Sequence, residues 1–135
     1  MLPVYQEVVD NLKKLGHEVI SEHVIDPLAP VGDGLSPKTL FDRETKLIET
    51  ADVMVADVTL PSWGTAFLME HALSKGKQVL ALFYKEASTP LPFMIAGHPE
   101  LYVAHYSKSN IRTVLKKNFE YFASMAKIKG KLVVI

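Results

Sequence analysis

The sequence predicts an α/β fold built on a doubly wound parallel sheet, and three observations carry that expectation. Segments of helical and strand character alternate along nearly the whole chain. Two strand segments, Asp52–Val58 with a continuous apolar run bounded by acids and Gln78–Tyr84, show the pattern of strands covered on both faces. The first of these runs passes through a short Pro-Ser turn straight into a helical segment, as a strand–helix unit of a parallel sheet requires.

The elements follow in order. Val4, Val8, Leu12 and Leu15 recur at helical spacing behind Pro3, and Gly16 closes that helix. His17 to Ile25, rich in β-branched residues, reads as a strand. Asp26 to Lys38 holds three prolines and two glycines and reads as a loop. Thr39 to Thr50 is an amphipathic helix with Leu40, Leu47 and Ile48 inward. The run to Val58 is a strand, the turn Thr59 to Trp63 follows, and a helix extends through Lys75 to Gly76. Gln78 to Tyr84 is a strand, Lys85 to Pro92 a loop, Phe93 to Gly97 a helical turn, and Leu101 to His105 a short strand. Ser107 or Ser109 is expected to cap a last helix that carries Ile111, Val114, Leu115, Phe119 and Phe122 on one side.

This is the pattern of a flavodoxin-like sheet of about five strands, with departures at both ends. The chain opens on a helix where such folds open on a strand, and it closes on Leu132 to Ile135, a plain strand sequence. In the strand order 2-1-3-4-5 the first strand lies inside the sheet, and leaving it out exposes two backbone edges in the core. Leu132 to Ile135 is therefore expected to fill the first-strand slot, in effect a circular permutation. The alternatives are a strand exchanged between two copies and an unpaired tail.

With 135 residues, 48% of them apolar and 22% charged, the chain has the size and composition of one globular domain, residues 1–135. Fifteen basic residues balance fifteen acidic ones, so no global field draws in nucleic acid or an anionic membrane. The lysines around the last helix read as a solvated face. Cysteine is absent, which rules out disulfide, thiolate and cysteine–zinc chemistry. The five histidines show no metal-ligand spacing, and neither a metal nor a cofactor is expected. No signal-peptide pattern or membrane-length apolar run occurs, so a cytoplasmic protein is expected.

The candidate chemistry lies where the strand ending at Val58 hands over to a helix. Asp57, Thr59, Ser62, Trp63, Gly64 and Thr65 fall beyond the carboxyl end of a parallel strand, where such sheets bind ligands. A helix start offers free N–H groups and the positive end of the helix dipole to an anion. Ser62 suits both a cap and a ligand contact, Gly64 allows close approach, and Trp63 suits base stacking or a contact between subunits.

The run Ala51 to Gly64, with Ala72 and Gly76-Lys77 behind it, resembles the nucleoside 2-deoxyribosyltransferase superfamily, most closely its 2′-deoxynucleoside 5′-phosphate N-hydrolase branch. Ser21-Glu22-His23-Val24 and Met94-Ile95-Ala96-Gly97 share the resemblance, which spans roughly Tyr5 to Tyr106 in colinear order. It implies cleavage of the bond between base and deoxyribose by a glutamate that attacks the anomeric carbon. It also implies that Ser62 contacts a 5′-phosphate, that Glu44 is the acid of the preceding helix, and that paired subunits bury the helices beside this turn.

Three departures stand against that reaction. The nucleophile position, six residues after Ser62, is Leu68; the nearest acid on that helix, Glu70, lies about 200° around the axis from it. The family's Gly-Ser-x-Arg-Gly-Gly loop has no counterpart in these residues, and Val133 falls at the family's first-strand tyrosine. Pro92 stands where the branch has a serine that reaches the neighbouring subunit's phosphate site. The leading expectation is a protein that binds a nucleotide or another small phosphorylated ligand without the standard N-glycosidase reaction. It would act as a homodimer or beside an active paralogue. The alternatives are an active N-glycosidase or transferase with a relocated acid, Glu70 first and Glu44 second, and a dimeric subunit with an interaction role alone.

Overall fold

The computed structural model describes residues 2–21, 36–125 and 131–134. Its elements run α1 (Leu2–Lys14), β1 (Glu18–Val19), α2 (Pro37–Thr50), β2 (Val53–Asp57), α3 (Trp63–Ser74), β3 (Gln78–Tyr84), α4 (Phe93–Ala96), β4 (Tyr102–Tyr106), α5 (Ile111–Met125) and β5 (Lys131–Val134). All five strands are parallel, in the order β1-β5-β2-β3-β4. The C-terminal strand thus lies in the interior slot expected of it, between β1 and β2; Ile135 lies outside the described residues.

Two apolar clusters sandwich the sheet. On one face Val53, Val55, Leu80, Leu82, Leu132 and Val134 meet Val8, Val9 and Leu12 of α1 and Ile111, Leu115, Phe119 and Phe122 of α5. On the other, Met54, Ala56, Val79, Ala81 and Phe83 meet Ile48 of α2 and Met69 and Ala72 of α3. Alternate residues of β2 and β3 supply the two clusters, which is why both strands read as continuous apolar runs.

Specific bonds hold β5 in its slot. At its start the Lys131 N–H donates to Asp52 Oδ2 (3.1 Å), and the Asp52 N–H donates to the Lys131 carbonyl (2.8 Å). At its end the buried Ser21 hydroxyl donates to the Val134 carbonyl (3.0 Å) and accepts from the Val134 N–H (2.7 Å). Ser21 therefore does with one side chain what a paired backbone would do, and it prolongs the β1 edge beyond Val19. In between, the Ile20 N–H donates to the Leu132 carbonyl (2.9 Å).

Several boundaries differ from the sequence reading. β1 is only Glu18–Val19, with the Ser21 side chain taking over the pairing; the remainder of the expected strand, and of the loop to residue 35, lies outside the described residues. α2 begins at Pro37, two residues before the expected Thr39. Ser36 caps it by accepting from the Thr39 N–H (3.2 Å), and a proline in the first helical turn needs no donor there. β4 is shifted one residue, to Tyr102–Tyr106. Neither Ser107 nor Ser109 caps α5. Instead the Asn110 side chain accepts from the Ser107 N–H (2.7 Å) and folds the approach to the helix.

Leu132 is fully buried and sits in register with both Val19 and Val53. Leu132→Ala is expected to destabilise the protein by about 2–5 kcal/mol. Urea denaturation should show a lower midpoint, and an unchanged midpoint would mean that β5 does not pack in the core.

Candidate functional site

The turn from β2 into α3 is built from two short-range devices. Ser62, in an extended conformation, ends the turn and caps α3, its Oγ accepting from the Thr65 N–H (3.1 Å). Helix geometry leaves the amides of Trp63 and Gly64 without an intrahelical acceptor, so the start of α3 presents donors at the carboxyl end of the sheet. A Cβ at Gly64 would meet nothing closer than Ser62 Oγ at 4.0 Å. Among the described residues no packing calls for glycine there.

The second device lies beneath the turn. Asp57 is the last residue of β2 and is buried, with both carboxylate oxygens engaged. Oδ1 accepts from the Thr59 N–H (2.9 Å) and Oδ2 from the Tyr106 hydroxyl (2.5 Å). Thr59 Oγ1 in turn accepts from the Tyr84 N–H (3.0 Å). Burial, then the hydrogen bond to Asp57 and its negative charge, push the Tyr106 phenol far above the ordinary tyrosine value. The Tyr5 phenol on α1 is also raised, by burial first and by the charge of Asp57 second. Asp57 and Thr59, both expected at the ligand end of the sheet, make these bonds to the turn and to the neighbouring strands.

Ser62, Trp63 and Thr65 line a pocket of about 420 Å³ between the start of α3 and α4, together with Leu60, Met69, Pro92, Met94 and Ile95. Its walls are mainly apolar. Trp63, the only tryptophan, is 93% exposed at its rim, and Phe93 and Met94 are 90% and 84% exposed close by.

Neither candidate acid is among the described residues that line this pocket. Glu70 is 69% exposed along its side chain, and its Oε2 lies 3.0 Å from His98 Nε2. His98 Nδ1 accepts from the Glu100 N–H (3.1 Å), so the proton shared with Glu70 sits on Nε2. Glu44 on α2 is largely buried, 15% exposed, and pairs through Oε1 with the Arg43 guanidinium at 2.9 Å. Leu68 is half-buried and packs against the apolar cluster that α2 and α3 share. Among the described residues, no three His, Cys, Asp or Glu side chains group as a metal site, and no helix is long and apolar enough to cross a membrane.

The chain is 33% identical over 125 residues to the rat protein named 5-hydroxymethyl-dUMP N-hydrolase, covering 88% of this chain and 76% of that one. It is 33% identical over 114 residues to a Syntrophotalea carbinolica protein named as a 2′-deoxynucleoside 5′-phosphate N-hydrolase, covering 83% and 80%. The chain belongs to the 2′-deoxynucleoside 5′-phosphate N-hydrolase family. A Thermofilum pendens protein of the same description is 36% identical over 92 residues, 68% of this chain; the chain spans 64% of that relative's length. No protein-family model matches the chain. The N-hydrolase family is a member of the nucleoside 2-deoxyribosyltransferase-like superfamily, as the run around Ser62 led one to expect.

Tyr106 and Tyr5 escaped the sequence reading. A signal for them existed in Asp57, since an acid ending a doubly buried strand needs donors from elsewhere in the chain. Because the Tyr106 pKa is raised, its contribution to stability is whole below the ordinary tyrosine value of 10.0 and drains away as pH climbs beyond it. Tyr106→Phe should flatten the alkaline fall in stability, measured by denaturation at a series of pH values; an unaltered pH profile would contradict the buried pairing.

Proposed function

We propose that this N-hydrolase family member binds a deoxynucleoside 5′-monophosphate, or a closely related small phosphorylated ligand, at the start of α3 and does not release its base. The observation that carries the reading is Leu68. It stands at the position where the family resemblance calls for the nucleophilic glutamate, and it packs against an apolar cluster. An alkyl side chain cannot attack an anomeric carbon. Glu70 is a poor substitute, being exposed and bound to His98, and it does not line the pocket beside Ser62.

What supports binding is the helix start itself: the Ser62 hydroxyl, the donors of the first turn, and Gly64, which no described residue crowds. The names of the relatives supply the class of ligand, a deoxynucleotide with a 5′-phosphate. A reducing, cytoplasmic setting suits a cysteine-free chain of this kind.

The test is a panel of deoxynucleosides and their 5′-monophosphates, read for thermal shift and for free base. The monophosphates should raise the melting temperature, the nucleosides should do so less, and no base should appear. Base release that disappears in Glu44→Gln or Glu70→Gln would instead assign catalysis to a relocated acid.

We also propose that a second copy of the chain covers the apolar face beside the site. Leu60, Trp63, Phe67, Phe93 and Met94, with Phe41 of α2 against Phe67 at 5.8 Å, expose large apolar side chains on the surface of α2, α3 and α4. Exposed aromatic and methionine side chains of this kind are what protein–protein interfaces are enriched in. Trp63 reports on this directly. Its emission should shift to the blue as concentration rises and dimers form; a solvent-exposed emission at every concentration would rule the contact out.

A further inference from the structure

We propose that Tyr106 is a positioning residue for the start of α3, acting through Asp57 and Thr59. A chain that leaves a parallel strand for a turn loses its ladder partners, and its direction then depends on side chains. Here the ladder ends with the Val58 N–H donating to the Leu82 carbonyl (2.9 Å). The next rung is made by a side chain, as the Tyr84 N–H donates to Thr59 Oγ1. Thr59 is therefore the residue whose placement aims the turn, and its own N–H is held by Asp57 Oδ1.

Asp57 is free to rotate about its side-chain bonds unless its second oxygen is also fixed, and the Tyr106 hydroxyl fixes it. Tyr106 is itself immobile. It is buried at the end of β4, its carbonyl accepts from the Lys85 N–H (2.8 Å), and its ring lies 5.5 Å from that of Tyr84. The connection therefore runs from β4 across β3 to the end of β2, and from there along the turn to Ser62. Three residues before the cap, Thr59 receives an orientation set by a hydroxyl 47 positions further along the chain (106 − 59).

The inference about the turn rests on geometry alone; only its bearing on ligand affinity rests on the proposed anion site at Ser62. Tyr106→Phe removes one hydroxyl and keeps the ring. The expected result is amide exchange at Thr59 and Thr65 about tenfold faster than in the parent, over and above any common change that the core amides of Val55 and Leu80 show through global stability. A purely structural role would speed exchange at all four amides by the same factor or at none, and either result would overturn the proposal. Asp57→Asn should speed exchange at Thr59 and Thr65 as well, and its effect should not add to that of Tyr106→Phe in the double variant. Additive effects would show that Tyr106 does not act through Asp57. Should Tyr106→Phe fail to fold, Asp57→Asn alone decides, unchanged exchange at Thr59 counting against the proposal. Deoxynucleoside monophosphate affinity is read in parallel and should fall in both variants. If the parent binds none, the anion-site reading fails while the exchange result still stands or falls by itself.

Discussion

A parallel sheet with an empty interior position would leave two rows of N–H and C=O groups unpaired beneath its helices, and each such group carries the full cost of desolvation. Filling that position with Lys131–Val134 is the constraint on which the other features of this protein depend. β1 is two residues long and, among the described residues, pairs with β5 alone, so it belongs to the sheet through that strand. α1 and α5 share one apolar cluster with Leu132 and Val134, so the packing of that face also follows from the slot being occupied. Ser21 and Asp52 secure the two ends, which pins the register of a strand only four residues long.

The carboxyl end of the sheet is organised by a different balance. Asp57 places a buried carboxylate at the end of a wholly apolar strand, and its donors come from the turn and from β4. That arrangement holds the turn while leaving Ser62 and the first amides of α3 at the surface. α3 itself is apolar around most of its circumference. One side packs on the sheet, Leu68 meets the cluster shared with α2, and Trp63 and Phe67 remain outside. A helix with this distribution is half core and half contact surface. Leu68 fits this distribution, since leucine there adds to the apolar packing at a position where a glutamate would need a ligand or water.

Much of this was legible in the sequence, for identifiable reasons. The apolar runs of β2 and β3 are long and uninterrupted, and the Ser62 cap directly precedes a helical segment, so both strands and the start of α3 follow from local signals. The place of β5 followed from a global one, the need of an interior sheet position for a strand paired along both edges. The Ser36-Pro37 start of α2 is also a local signal, but the prolines ahead of it in the sequence draw the boundary too late. The pairing of Asp57 with Tyr106 could not be read, because the two are 49 residues apart and neither neighbourhood names the other. The single-residue end of the β1 edge at Ser21 was likewise hidden, since a serine that bonds like backbone looks in sequence like any other serine. The pocket wall from α4 depends on how two non-adjacent segments meet, and no spacing rule encodes that.

On the function proposed above, the start of α3 receives a phosphorylated ligand and Leu68 leaves the site without a nucleophile. The most direct measurement is free-base release from deoxynucleoside 5′-monophosphates by the parent and by Leu68→Glu, side by side. The account predicts a silent parent and base release that appears with the glutamate. Release by the parent, at a rate the substitution does not raise, would contradict it.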